Sequence, residues 1–567
     1  MSRRAGVLPA LAAALAAAAA CSKSEVKDGG SGSPPPQPGK PTFTVFALAE
    51  LRGQIGPCGC TADPLGDLSR TAQMIADARA AGPTLVVDAG SLLYSQDPIP
   101  SLHETQEELK ADLLARTYRE DLATAALGLG WADLPKGPAK VRLPRQAANV
   151  AADAGIPLEK PTVTAVGGAK VGVFGVIASD AVKGVSLSDP AAAGKAAVAE
   201  LRRGGAQVVI ALVQATSKKD AAAIVRAIGG IDFAVAGLGL ATPEPRDVEP
   251  EATRVGDGWL VVPADRGQVV SRIDVTLRGG AAGPLSDAVG TAAAAQKRAG
   301  IEKQLAALEA DLARFAADKA ADPAFVRQKQ GERDRLVTQR DQLAKQPYVI
   351  PEKGSYFTLD QVRINKTKAC SPKVQDAVTA FYRAAGEANA KAAASIKPVP
   401  VPAGQATFVG NAKCEDCHDD AIAFWKQTRH AGAWETLVQR GQQLDLDCIG
   451  CHVTGWGKPG GATLAINEPL RDVGCETCHG PGSIHVEKGG NEKPSAVVRN
   501  PPQEMCAREC HTKEHSDTFQ YEAYLRDIVG KGHGDLIRGR LGTGATGGQL
   551  RKAALEKAGR MGPGCIR

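Results

Sequence analysis

The chain has 567 residues, 43% of them hydrophobic, and a formal net charge of only +6. That length allows several domains, each able to bury a core of its own. The small net charge and the lack of a basic block argue against a nucleic-acid partner. The 13 cysteines are unevenly used: most crowd between Cys414 and Cys510, while Cys21, Cys58, Cys60, Cys370 and Cys565 stand apart.

Arg3 and Arg4 precede an apolar run from Val7 to Ala20 that ends at Cys21. A basic start followed by a short apolar run reads as an export signal over residues 1–20, too short to span a membrane comfortably. Ala18-Ala19-Ala20-Cys21 resembles a bacterial lipobox, which implies cleavage before Cys21 and lipidation of that residue. Ordinary Ala-x-Ala cleavage, releasing a soluble product, is the alternative. Residues 21–41 are rich in Ser, Gly, Pro and Lys and read as a flexible tether. Together these features place the protein in a bacterial cell envelope, lipid-anchored on the periplasmic side or at the outer membrane.

Residues 42–280 alternate short buried strands with helical segments. Strands are expected at 43–48, 84–88, 170–177, 207–213 and 231–236, and helices at 67–81, 191–203 and 219–228. Such alternation predicts a layered α/β sandwich with helices on the sheet faces. In the loop after the first strand stands Gly56-Pro57-Cys58-Gly59-Cys60. Cys58 and Cys60 are a candidate redox dithiol or a metal or sulfur-species site. A bland disulfide, pairing with Cys370 or Cys565, or no role are the alternatives.

Ile301, Leu305, Leu308, Leu312 and Phe315 step by 4, 3, 4 and 3, an apolar heptad seam. Ala321-Asp322-Pro323 interrupts it, and a charged helix follows to Gln346. Residues 288–347 therefore read as a helical hairpin, a spacer or a dimerisation arm. Residues 348–404 read as a further helix, from about Asp360 to Ser395, and a stiff Pro-rich linker, Lys397 to Pro402.

Residues 405–540 carry the densest chemistry. Three C-x-x-C-H motifs occur: Cys414, Cys417 and His418; Cys448, Cys451 and His452; Cys475, Cys478 and His479. A looser C-x-x-x-C-H copy has Cys506, Cys510 and His511. C-x-x-C-H is the attachment signature of c-type haem. Two thiols form thioethers to the porphyrin, and the adjacent imidazole ligates the iron. Structural zinc is a poorer reading, since zinc sites rarely follow each Cys pair with His. Three haems c are expected, and a fourth at the looser motif. Four further histidines, His430, His485, His515 and His533, match the four motif histidines one to one and suggest bis-His ligation. The lack of a suitably placed Met argues for low-potential haems. Residues 541–567 read as a tail.

Two family resemblances extend this reading. F-V-G-x-x-x-C-x-x-C-H, W-x-x-x-x-H-A, C-I-G-C-H-V-T-G-W-G and V-G-C-E-T-C-H-G-P-G-S-I-H-V resemble the tetrahaem cytochrome c-554 family. That resemblance implies His430 and His485 as distal ligands, His533 near a late histidine of the family, and His515 as the weakest candidate. It also implies electron transfer with redox partner proteins, other cytochromes or quinone-linked complexes. In the α/β region, A-E-L-R-G, G-D-L-S-R-T-A-Q-M-I, L-V-V-D-A-G-S, A-N-V at Asn149 and D-F-A-V-A-G-L-G-L resemble, in order, the calcineurin-like metallophosphatase domain of periplasmic 5′-nucleotidases. The resemblance implies two metals, but the ligand positions have changed. Glu50, Arg52, Ser91, Gln214, Leu238 and Leu240 stand where the family has its metal-binding residues, and Gly128 to Trp131 replaces the loop carrying the catalytic His. A catalytically dead scaffold for partner or ligand docking is expected. Similar haem-fused nucleotidase-like proteins carry C-G-C or a selenocysteine variant at the position of Cys58 and Cys60. An electron carrier is thus the first reading, and a haem-dependent reductase of a small oxyanion or sulfur compound the second.

Overall fold

The computed structural model describes residues 39–57, 60–279, 283–288, 291–317, 323–345, 350–465, 468–491, 497–512 and 514–565. The export signal, Cys21, most of the tether and Cys58 lie outside the described residues. Among those residues no helix is long and apolar enough to cross a membrane.

The strands in chain order are β1 (Phe43–Leu48), β2 (Thr84–Asp88), β3 (Ala126–Leu127), β4 (Arg145–Gln146), β5 (Leu158–Glu159), β6 (Thr162–Val166), β7 (Ala169–Ile177), β8 (Val208–Gln214), β9 (Phe233–Gly237), β10 (Thr253–Val255), β11 (Gly258–Val261), β12 (Val269–Thr276), β13 (Ser286–Asp287) and β14 (Tyr356–Arg363). They form two six-stranded sheets, ordered β13-β14-β12-β1-β2-β3 and β10-β11-β9-β8-β7-β6, with β4 and β5 as a small ribbon. Helices α1 (Leu68–Ala81), α2 (Glu104–Glu120), α3 (Pro190–Arg203), α4 (Lys218–Ile228), α5 (Thr291–Ala317), α6 (Pro323–Lys345) and α7 (Pro372–Ala393) accompany them.

The alternation along each strand sets the layers, because successive side chains point to opposite faces. Phe43, Val45 and Ala47 of β1 join Val171 and Val173 of β7, Ile210 of β8 and Phe233 of β9 in one core between the sheets. Phe46 and Leu48 face the other way, onto Ile75 of α1, Leu114 of α2 and Val378 of α7. Phe174, Val209 and Ala234 of the second sheet face Leu201 of α3 and Val225 of α4. The order of layers is helix, sheet, sheet, helix. Local signals start the helices. The Asp67 carboxylate accepts from the backbone N–H of Ser69 at 2.8 Å and of Arg70 at 3.2 Å, capping α1. Pro190 and Pro372 open α3 and α7, where a missing N–H costs nothing.

Residues 348–404 depart from expectation. Tyr356–Arg363 is a strand rather than the start of a helix. It pairs antiparallel with β12 from Val269↔Arg363 to Thr276↔Tyr356. The free edge of β12 decides this, since pairing satisfies the backbone groups of both strands. Helix α7 then returns across the first sheet, so the α/β body is completed by residues beyond 280. α5 and α6 lie against each other, with Phe315 and Phe325 edge to face at 5.4 Å. Ile301, Leu305 and Leu308 are buried, and α5 also packs against β14.

Beyond the linker, the C-terminal region has only short helices and loops. The tail is fastened to the body. The helix Gly547–Lys557 packs on the helix Tyr521–Ile528, and Cys565 forms a disulfide with Cys370 just before α7. Neither Cys370 nor Cys565 is therefore free to pair with Cys58 or Cys60.

Candidate haem sites and the altered cleft

Each motif sits on a short turn or helix that sets two thiols and an imidazole close together. Cys475–His479 is one helical turn, and Glu476 inside it is buried. Its carboxylate accepts from the backbone N–H groups of Val409, Gly410 and Gly482, at 3.0, 2.7 and 2.7 Å. Asn411 Oδ1 accepts from the Cys475 N–H at 2.9 Å. The third motif is thus held against the segment that opens the first. Cys451 Sγ donates to the Glu509 carbonyl at 3.5 Å, so motif two adjoins motif four as motif one adjoins motif three.

The imidazoles show the same order. His418 faces His485 with ring centroids 6.2 Å apart, His430 faces His511 at 6.3 Å, and His479 faces His533 at 6.1 Å. Two metal–imidazole bonds of about 2.0 Å, plus the reach from each nitrogen to its ring centre, put the centroids about 6 Å apart across a metal. The residues therefore fit haem c with an imidazole on each side of the iron. Backbone carbonyls fix several of these rings. His479 Nδ1 lies 2.6 Å from the Val498 carbonyl, and His533 Nδ1 lies 2.6 Å from that of Ile528. A carbonyl can only accept, so Nδ1–H donates in each and Nε2 is the nitrogen that could hold a metal. Burial first, and the neighbouring His511 second, push the pKa of His430 down to about 4. Burial also lowers those of His479 and His511. Each shift favours the neutral imidazole, the form that binds a metal.

His452 and His515 are not brought to a second imidazole among the described residues. His515 Nδ1 lies 2.7 Å from Thr512 Oγ1 instead. The one-to-one matching of eight histidines expected from the sequence gives three facing pairs, with His515 outside them.

The segment leading into the second motif is docked on the α/β body. Gln106 of α2 donates to Asp445 at 2.8 Å, and its amide oxygen accepts from the Leu446 N–H at 3.1 Å and from Asn389 Nδ2 at 2.9 Å. Lys110 Nζ bridges Glu107 at 2.7 Å and Asp447 at 2.8 Å. Burial alone pushes the Asp447 carboxyl up, but the Lys110 charge outweighs it and holds the pKa below the usual range. Asp445 accepts from Cys448 Sγ at 3.4 Å. Sequence reading missed this network because its members are ordinary polar residues far apart in the chain. The one available signal was an amphipathic 104–120 segment with polar residues on its buried face.

In the α/β body, Glu50, Arg52 and Gln214, singled out from the sequence, are engaged with neighbouring groups. The Glu50 carboxylate accepts from Trp131 Nε1 and from the Gly239 N–H, both at 3.2 Å. Arg52 pairs with Asp265 at 2.5 Å, both largely buried. A Cβ at Gly237 would collide with Gln214 Nε2 and lie 2.8 Å from Glu50 Oε1, so both side-chain ends would have to move to admit one. Burial pushes the Glu50 pKa up to about 7, and the Arg52 charge offsets it only in part. Glu50, Arg52 and Ser91 adopt left-handed φ of 53°, 48° and 62°, a conformation that costs of order 1 kcal/mol for such residues. Among the described residues no three His, Cys, Asp or Glu side chains converge on a possible metal position. The buried Arg52 guanidinium beside these side chains does not fit a pair of divalent cations.

Comparison with known proteins separates the two regions. The family model described as cytochrome c554 and c-prime matches residues 413–480. Cytochrome c-554 of Nitrosomonas europaea is 41% identical over 96 residues, 14% of this chain and 41% of that protein. The chain therefore spans less than half the length of this relative. Among solved structures, the reduced cytochrome c554 of Nitrosomonas europaea is 28% identical, covering 22% of this chain and 84% of its own, with a TM-score of 0.19. A 5′-nucleotidase precursor from Thermus thermophilus is 21% identical, covering 42% of this chain and 52% of its own, with a TM-score of 0.35. A sulfate thiohydrolase from the same organism is 18% identical, covering 43% and 56%, with a TM-score of 0.36. The c554-type segment anticipated from the sequence is matched, within residues 413–480. The matched residues 413–480 include the three C-x-x-C-H motifs, which supports haem c as the cofactor.

Proposed function

We propose that this chain is an exported, lipid-anchored multihaem cytochrome that passes electrons between redox proteins of the cell envelope. The observation that carries the reading is the set of three imidazole pairs, each spaced to take an iron between its rings. Haem c supplies one-electron chemistry when attached. The chain's own residues attach it through the motif thiols, orient the rings through backbone carbonyls, and bring motifs one and three, and two and four, close together. Closely spaced haems suit electron transfer along the segment. In this reading four haems are attached, three of them bis-His and of low potential, and Cys21 carries the lipid.

The α/β body then serves as a docking scaffold rather than a phosphoesterase. The Arg52–Asp265 pair and the engaged Glu50 carboxylate support this reading. Mass spectrometry and pyridine haemochrome on the full holoprotein should return four haems per chain, and redox titration should give low midpoints. Phosphate-ester hydrolysis should stay at background with any added divalent cation. Metal-dependent turnover would return the body to the enzymes. Cys21→Ala should move the protein from the membrane to the soluble fraction; if it stays on the membrane, the lipid anchor is wrong.

A further inference from the structure

A cavity of about 430 Å³ lies beside α1, at the end of the first sheet where β1 and β2 begin. Its wall includes Lys40 and Thr44 at the start of β1, Gly82 and Pro83 before β2, and Lys368 before α7. β1 and β2 run parallel, so Glu50 and Ser91, which follow them, stand at the opposite edge of the sheet. The cavity is thus separate from the Glu50–Arg52 cluster.

Four cationic side chains line it, Lys40, Arg70, Arg272 and Lys368, against one carboxylate, Asp77. Arg272 is already matched. Its Nε lies 3.1 Å from Asp274, which also accepts from the Thr44 hydroxyl at 2.6 Å. Asp77 accepts from Gln73 Nε2 at 2.7 Å. Arg70 is only 4% exposed, yet its donors are under-used. Nη1 makes one long bond to the Pro64 carbonyl at 3.4 Å, and Nε makes none. The Asp67 carboxylate, 3.7 Å from Nε, is occupied in capping α1. A guanidinium carries five N–H donors, and leaving them without acceptors in a buried place is costly. Lys40 and Lys368 form no ion pair among the described residues.

We infer that this cavity binds an organic phosphate. The phosphate group sits between Arg70, Lys40 and Lys368, and the attached organic part lies against Pro41, Met74 and Ala78. A guanidinium offers paired donors to two phosphate oxygens, and flexible ammonium groups neutralise the remaining charge. The volume exceeds that of a bare ion and suits a small organic ligand. The wall is fixed before any ligand arrives. The Gly562 N–H donates to the Lys366 carbonyl at 2.8 Å and the Cys370 N–H to the Pro563 carbonyl at 2.9 Å, while the Cys370–Cys565 disulfide closes the same strip behind Lys368. Lys40 Cε lies 3.6 Å from where a Cβ on Gly82 would stand, so its side chain bends over the end of α1. Two sources carry this chemistry, a soluble phosphate ester and the headgroup of an anionic phospholipid. Lys40 follows closely on Cys21 in the chain, so a lipid on that cysteine would keep headgroups near the cavity.

The test uses full-length holoprotein carrying Cys21→Ala, so that no lipid anchor contributes. Calorimetry with glycerol 3-phosphate reads the soluble source. Flotation with phosphatidylglycerol vesicles, against phosphatidylcholine vesicles, reads the lipid source. At least one probe should bind. Lys40→Glu with Lys368→Glu should weaken that binding by about tenfold or more, with haem content and thermal melting unchanged. Lys40→Arg with Lys368→Arg should bind as the parent does. Calorimetric binding without flotation assigns the site to soluble esters, and flotation without calorimetric binding assigns it to headgroups. Failure of both probes, or binding that survives the charge reversal, overturns the site. Neither readout depends on the haem count or on a lipid at Cys21, so that result would leave the electron-transfer reading standing.

Discussion

In the α/β body Phe43, Phe46, Phe174, Phe233 and Phe357 are wholly buried, together with long runs of Val, Ile and Leu from both sheets. Between residues 405 and 540 the buried apolar set is short, chiefly Ile422, Leu437, Leu446, Ile449, Val453, Leu464 and Leu470. Most motif thiols there are only half-buried, and Cys417 is exposed. The body has a core made of its own side chains. The C-terminal segment has half-buried Cys and His side chains in its place. In the reading proposed above, attached haem completes that core, and the segment's stability follows haem attachment where the body's does not.

The sharpest way to break this comparison is to remove one haem. Cys475→Ser with Cys478→Ser should lower the haem count by one and leave the C-terminal segment open to limited proteolysis, while the α/β body stays resistant. Equal resistance in both regions would show that the segment carries a sufficient core of its own.

A smaller effect tests the seam. Lys110→Met leaves Glu107, 1% exposed, without its cation, and removes the tie to Asp447. Loss of one partner of a buried pair costs about 3 kcal/mol. Denaturant unfolding should show that loss, and the transitions of body and haem segment should move apart.

A pH effect belongs to the body alone. The Glu50 pKa rises from 4.5 to about 7 on folding. Between those values the folded state holds a proton that the unfolded state has released, so stability falls as pH rises through this window, by at most about 3 kcal/mol. Glu50→Gln should flatten that slope between pH 5 and pH 8, with haem spectra unchanged. An unaltered slope would mean that Glu50 is ionised in the folded protein.

The smallest effect is local. Asp67→Ala removes the side-chain cap of α1 and should cost about 1 kcal/mol, read by thermal melting, without change in haem content.

Much of the body was legible because short strands and amphipathic helices announce themselves by period. Phe43–Leu48, Thr84–Asp88 and the helix capped by Asp67 fall where the pattern predicts them. The strand Tyr356–Arg363 was not legible. Its partner β12 lies some eighty residues earlier, and nothing local distinguishes it from the beginning of a helix. The haem motifs were legible to the residue, since attachment chemistry fixes their spacing. Which imidazole faces which was not, because His430 meets the fourth motif and His485 the first, across loops with no periodicity.

The sequence by itself carried the chemistry of the motifs, thiol pairs beside histidines in the spacing that attaches haem c, and the α/β period of residues 42–280. Tertiary structure alone decided the pairing of the rings and the disulfide between Cys370 and Cys565. Covalent and local constraints act over a few residues and are written in the chain. Contacts across hundreds of residues depend on how sheets, helices and loops pack, and that is settled only when the whole chain folds.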